Sequence, residues 1–212
     1  MTPPWSSTSA SSLLSSSSST SVFSELVDDL SLVENNAEIV AGRWPTAYDE
    51  VALVLTGSGG VSDLTLYAMG LRDPQELDDM VKQVATEGDV TVPDDPGTYS
   101  YRDLMGVSFK AVDSADLYSY DDEFDVWTDR SDDTDYVTDL VDDGDELRVV
   151  GVVQPSGDSS TLQPGIYYTR DLTEHMIADA TDSAIVQSQL ADPDVDVFTG
   201  KEFGAEDDGE EA

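Results

Sequence analysis

Apolar residues in this chain fall into short runs with two different periods, and the period predicts the element each run forms. Val51-Ala52-Leu53-Val54-Leu55 is apolar at every position, the pattern of a strand covered on both faces. Thr56-Gly57-Ser58-Gly59-Gly60 ends it. Leu147 to Val153 predicts another strand, which ends at Pro155, while residues 107–112, 166–168 and 195–198 predict shorter strands. From Tyr118 to Trp127 aromatic and acidic residues alternate, as they do in a hairpin partly exposed to water.

Helical spacing appears in between. Val22, Phe23, Leu26, Val27, Leu30 and Val33 lay one apolar stripe along a predicted helix that stops at Asn35-Asn36. Ser62 is the expected N-cap of a short helix closed by Gly70, and Asp73-Pro74-Gln75-Glu76 opens another, with Leu77, Met80, Val81 and Val84 on one face. Residues 101–104 predict a single helical turn, Tyr136, Val137, Leu140 and Val141 a helix stopped by Gly144, and residues 172–180 and 183–190 two more. Strands and helices alternate irregularly, which predicts an α+β fold with a mixed sheet and several amphipathic helices. The expected core includes Trp44, Leu53, Leu77, Val81, Phe109, Val150, Val152 and Ile177. Gly106 and Gly151 are expected where the backbone turns tightly or approaches another strand too closely for a side chain.

Composition bounds this picture. At 212 residues the chain is long enough for one sizeable core. Residues 1–21 form a Ser-rich leader and 204–212 an acid- and glycine-rich tail, both with the composition of disordered segments, so one ordered domain is expected over 22–203. No run of 18 apolar residues occurs and the N-terminus lacks a signal-peptide pattern. The chain is therefore expected either to be soluble by itself or to be an excised piece of a larger protein.

Charge narrows the partners. With 9 Lys and Arg against 46 Asp and Glu, the net charge is −37, and a polyanion of that density is repelled by nucleic-acid phosphates and anionic lipid headgroups. The acids spread along the whole chain, as in a solvating coat that keeps an exposed or salt-adapted protein in solution. Without cysteine there is no disulfide and no thiol chemistry.

None of the local patterns carries a reaction. His175 is the single histidine, G-x-S-x-G is absent, and zinc is set aside because one imidazole without cysteine leaves only carboxylates. Asp129 to Asp135 and Asp192 to Asp196 place oxygen ligands at alternate positions, yet lack the glycine and glutamate of a calcium loop; Asp142 to Glu146 reads as a hydrophilic turn. Gly57-Ser58-Gly59-Gly60 lacks the lysine of a P-loop. Tyr118, Tyr120, Phe124 and Trp127 fit hairpin packing better than a partner-binding face. No catalytic, cofactor-binding or metal-binding residue is assigned, and no cofactor is expected.

The order of three blocks says more. Gly42-Arg43-Trp44-Pro45 leading into Glu50-Val51-Ala52-Leu53-Val54-Leu55, then Leu104-Met105-Gly106-Val107-Ser108-Phe109-Lys110, then Leu147-Arg148-Val149-Val150-Gly151-Val152-Val153, resembles the extracytoplasmic domain of MacB/FtsX-type ABC transporter permeases, in particular the larger Gram-positive members. The resemblance extends to residues 62–71, to Val126-Trp127, to Gly165-Ile166-Tyr167-Tyr168-Thr169 and to Val197-Phe198-Thr199-Gly200, and spans about residues 22 to 203. It implies a domain inserted between the first two transmembrane helices of a permease on the extracellular side of the cell membrane. It also implies ATP hydrolysis in a separate cytoplasmic subunit or domain, and a peptide, lipoprotein or cell-surface partner. No catalytic residues belong to that domain, so the domain itself is not expected to be an enzyme. Membrane helices would then lie outside this chain, with Met1 not native to it. Two other readings stay open from the residues alone: an acidic soluble or surface-layer protein of a salt-adapted organism, and a calcium-dependent adhesion module.

Overall fold

The five apolar residues 51–55 are buried, and the sheet of the first compact unit is built around them. The computed structural model describes residues 22–73, 75–76, 98–156 and 161–204. The leader up to Ser21, residues 205–212 of the tail, and the expected helix beyond Glu76 with Leu77 and Val81 lie outside the described residues. The chain divides into two compact units, one of residues up to Lys110 plus Glu146–Thr173, the other of Ala111–Asp145 plus Glu174 onward.

The first unit is built on a six-stranded mixed sheet. Its strands are β1 (Phe23–Glu25), β2 (Ala37–Gly42), β3 (Glu50–Val54), β4 (Ser108–Ala111), β7 (Asp145–Pro155) and β8 (Gly165–Tyr168). The order is β1-β8-β3-β7-β2, with β4 also pairing β7. Two pairings are parallel, β1 with β8 and β3 with β7; β3 with β8 and β7 with β2 are antiparallel. Helices and a mixed sheet together make the fold α+β.

In β3 all five residues are buried. Ala52 and Val54 join Leu26, Val33, Trp44, Val153, Leu162 and Tyr167 in one apolar cluster. Alternation sends Val51 and Leu53 to the opposite face, where they too are fully buried. Each such side chain removed from water stabilises the unit by roughly 1.5–3 kcal/mol before the entropy of ordering it. Phe23 and Phe109 meet edge to face, with ring centroids 5.3 Å apart.

Two glycines fix how closely the strands approach. Gly42 and Gly151 are register partners between β2 and β7. A Cβ on Gly151 would lie 2.0 Å from the Arg43 carbonyl oxygen, and one on Gly42, where φ is +70°, would lie 2.1 Å from that of Val150. No side chain fits at either position. Gly106 takes the first of the two roles expected, a tight turn: it follows α3 (Tyr101–Leu104), and its N–H donates to Asp103 O at 3.1 Å.

Short helices cover the sheet connections. α1 (Ser31–Glu34) follows an Asp29 carboxylate that accepts from Ser31 N at 3.1 Å. α2 (Asp63–Ala68) is capped by Ser62 and ends before Gly70, whose φ is +66°. The helix expected from Val22 to Val33 is not formed. Its first residues pair with β8 as β1 instead, Phe23, Ser24 and Glu25 lying opposite Ile166, Tyr167 and Tyr168, so tertiary pairing overrides the local helical spacing.

The second unit contains a 3₁₀ turn (Ser114–Leu117), the hairpin β5 (Tyr118–Asp121) and β6 (Val126–Asp129), helix α4 (Thr134–Asp143), the larger part of α5 (Arg170–Asp182), and α6 (Ala184–Ala191). Asp125 turns the hairpin at φ 57°, a left-handed conformation that aspartate tolerates. The strand expected at 195–198 is reduced to a single bridge between Val195 and Glu202. Ile177, expected in the core, is 61% exposed, since α5 buries Leu172 on a different face. Phe109 and Val150 are partly buried; Trp44, Leu53 and Val152 are buried as expected.

Candidate functional site

The side chains with the most chemical potential in the second unit converge at the end of α4. Asp133 starts this helix by accepting from Tyr136 N at 3.1 Å, and Gly144 ends it with an extended backbone. A Cβ on Gly144 would lie 2.6 Å from Ala111 O, so only glycine lets the chain pass there. The next residue is Asp145, which is thereby delivered beside α5.

There it meets the single histidine. His175 Nε2 lies 2.7 Å from Asp145 Oδ2 and 3.2 Å from Asp179 Oδ2, one helical turn further along α5. The imidazole is the more sheltered member, with 28% of its side chain exposed, against 44% and 52% for the two carboxylates. The nitrogen and the two carboxylate oxygens all lie within 4.8 Å of one another.

Asp145 and Asp179 also line a recess of about 250 Å³, together with Asp113, Asp116 and Asp143 and the apolar Leu140 and Met176. Asp113 is used structurally, since its carboxylate accepts from Ala115 N at 2.7 Å and starts the 3₁₀ turn. Burial pushes the Asp116 carboxyl above its ordinary range, and the negative charges of Asp113 and Asp179 push in the same direction. Among the described residues no lysine or arginine lines the recess.

A second concavity, of about 480 Å³, runs between the hairpin and α6, lined by Tyr120, Trp127, Ser188 and Val197 among others. The Tyr120 and Trp127 rings are cross-strand neighbours, 5.6 Å apart, while Tyr118 packs instead on Phe198 and Phe124 is 69% exposed. The four aromatic residues considered from sequence are thus divided among three environments.

The acidic runs weighed as calcium loops are occupied by the chain itself. Asp133 pairs with Arg130, which holds its carboxyl below the usual range, and Asp129 is lowered by accepting from Ser131 N at 2.7 Å. Asp196 accepts from Phe198 N and from the Thr199 hydroxyl, closing a local turn. Gly57-Ser58-Gly59-Gly60 is a turn closed by Thr56, whose backbone N–H donates to Gly60 O and whose Oγ1 accepts from Gly60 N.

The Asp145, His175 and Asp179 group is what sequence reasoning missed. The signal that could have found two of its three members is the spacing of four between His175 and Asp179 on one helix. Asp145, 30 positions earlier, reaches the pair only through tertiary folding. No family model, curated protein or solved structure matches the chain. Among the described residues no helix is long and apolar enough to cross a membrane.

Proposed function

We propose that the chain works as the extracellular domain of a MacB/FtsX-type ABC transporter permease. In that role it engages a peptide, lipoprotein or cell-surface partner and couples the encounter to movement of transmembrane helices, while a separate subunit hydrolyses ATP. One observation supports this reading above others: the three blocks that carry the resemblance, far apart in sequence, meet in one sheet. The first block supplies β3, the second β4 and the third β7, which pairs with both. Gly42 of the first block and Gly151 of the third are register partners. Their order is thus the order of one scaffold, on which outer loops and the second unit are free to vary.

Cell fractionation with an antibody to the chain tests the proposal. The expected result is a membrane-bound polypeptide larger than 22.8 kDa that copurifies with an ATPase and is cut by protease added to intact cells. A polypeptide of 22.8 kDa in the soluble fraction, protected in intact cells, overturns it.

A salt-adapted setting is favoured independently by the imbalance of 46 acids over 9 basic residues. It is compatible with the permease role and is tested by salt dependence, below.

A further inference from the structure

The cluster at the end of α4 takes no part in the role just described, and its chemistry stands apart from that reading. We propose that His175, Asp145 and Asp179 form a binding site for a first-row divalent cation of borderline softness, with zinc as the fitting ion. The donors come from two elements: His175 and Asp179 lie one turn apart on α5, and Asp145 is fixed by the close passage at Gly144. Around an ion at about 2.0–2.2 Å from each nitrogen and oxygen, tetrahedral geometry spaces the donors about 3.3–3.6 Å apart. The 3.2 Å separation from Nε2 to Asp179 Oδ2 is close to that spacing, while the 2.7 Å separation to Asp145 Oδ2 is a direct hydrogen bond that opens by roughly 0.6–0.9 Å to admit an ion.

The imidazole sets this cluster apart from the acidic surface around it. Calcium and magnesium take oxygen donors and, for calcium, six to eight of them, whereas one imidazole with two carboxylates held beside it is a donor set open to zinc and its neighbours, which reverses the expectation from sequence that set zinc aside. Charge argues for a cation as well. Among the described residues five aspartates and no lysine or arginine line the recess, and an imidazolium carries at most one positive charge against them. A divalent ion supplies two and leaves a coordination position for water or another carboxylate of the recess.

Isothermal titration of the whole chain with zinc chloride in molar potassium chloride tests the site, because that salt screens diffuse attraction to a surface of charge −37. The expected result is one zinc per chain, with the imidazole NMR resonances of the single histidine shifting in step with saturation. His175→Gln and Asp179→Asn each weaken binding at least about tenfold, while Asp122→Asn on the hairpin leaves it unchanged. Calcium chloride fails to displace the zinc. Uptake of several ions per chain, unchanged by His175→Gln and silent at the imidazole, overturns the proposal and assigns the cluster to a histidine–carboxylate ion pair. Absence of zinc binding by the folded wild-type chain overturns it equally, whatever the variants do.

Discussion

Arg43 and Glu50 face each other across the turn that leads into β3, joined by two parallel hydrogen bonds, Nη1 to Oε2 at 2.8 Å and Nη2 to Oε1 at 2.5 Å. Thr46 adds its backbone N–H to Oε2 at 2.9 Å. The carboxylate is nearly buried, with 10% of its side chain exposed, while the guanidinium remains half in water. A planar fork matched to a carboxylate is specific to arginine, which gives the Gly-Arg and Glu-Val pieces of the first block a shared structural reason.

The pair predicts an acid-sensitive component of stability. Arg43 first, and then the Thr46 N–H, hold the Glu50 carboxyl down at about 2 from its ordinary 4.5, against the opposing effect of burial. Its contribution is complete above pH 4.5 and is lost as pH falls through about 2. Glu50→Gln is expected to lower stability by about 1–3 kcal/mol at neutral pH. The gap between wild type and variant, measured by denaturant unfolding, closes as pH falls through that window; a gap independent of pH would mean the pair is only packing.

Gly151→Val is expected to destabilise by about 3 kcal/mol, and to lower the melting temperature by about 6–12 °C, because the new side chain meets the Arg43 carbonyl. Gly57→Ala is the matched control. A Cβ there meets nothing within 4 Å, so its melting temperature stays within about 2 °C of wild type. Equal effects at the two positions would refute the close approach between β2 and β7.

Trp127 has the opposite character. Its indole Nε1 is buried without a hydrogen-bond partner among the described residues, an arrangement that costs free energy in the native state. Trp127→Phe removes the orphaned donor while keeping an aromatic ring against Tyr120, and is expected to change stability by less than about 1 kcal/mol. Trp127→Ala, which empties the site, costs about 3 kcal/mol. A phenylalanine variant as unstable as the alanine one would show that the N–H is satisfied in solution.

Self-repulsion of the acidic surface predicts a strong response to salt. Raising potassium chloride from 0.1 to 2 M shortens the screening length from about 10 Å to about 2 Å, and the melting temperature is expected to rise by more than about 5 °C. A flat profile in scanning calorimetry would argue against a salt-adapted setting.

Legibility in the sequence followed how local each cause was. β3 and β7 were readable because burial on both faces leaves no polar position to interrupt Val51 to Leu55 or Val149 to Val153. The hairpin was readable because Tyr120 and Trp127 are direct partners across a tight turn. Val22 to Val33 was misread because helical spacing and an edge strand followed by one helical turn place Val22, Leu26 and Val33 inside equally well; only β8, more than a hundred residues away, decides between them. Ile177 was misassigned because α5 presents a different face to the interior. At the candidate site, His175 and Asp179 stand four apart on a helix that was expected, but the pair was not singled out, and nothing local connects Asp145 to them, since the glycine that delivers it acts through contact with Ala111.

The pairing order of the large sheet carries a cost in time. β3 lies between β7 and β8, so its first partner strand is not complete until residue 155, and its second, which is also the partner of β1, not until residue 168. During synthesis the apolar segment 50–54 is complete about 100 residues before its partners, which at ordinary elongation rates is about 5–20 s. For that interval one of the most aggregation-prone pieces of the chain has no native partner strand. A nascent chain of this design depends on its acidic flanks, or on a holding chaperone, to stay open until the last strand arrives.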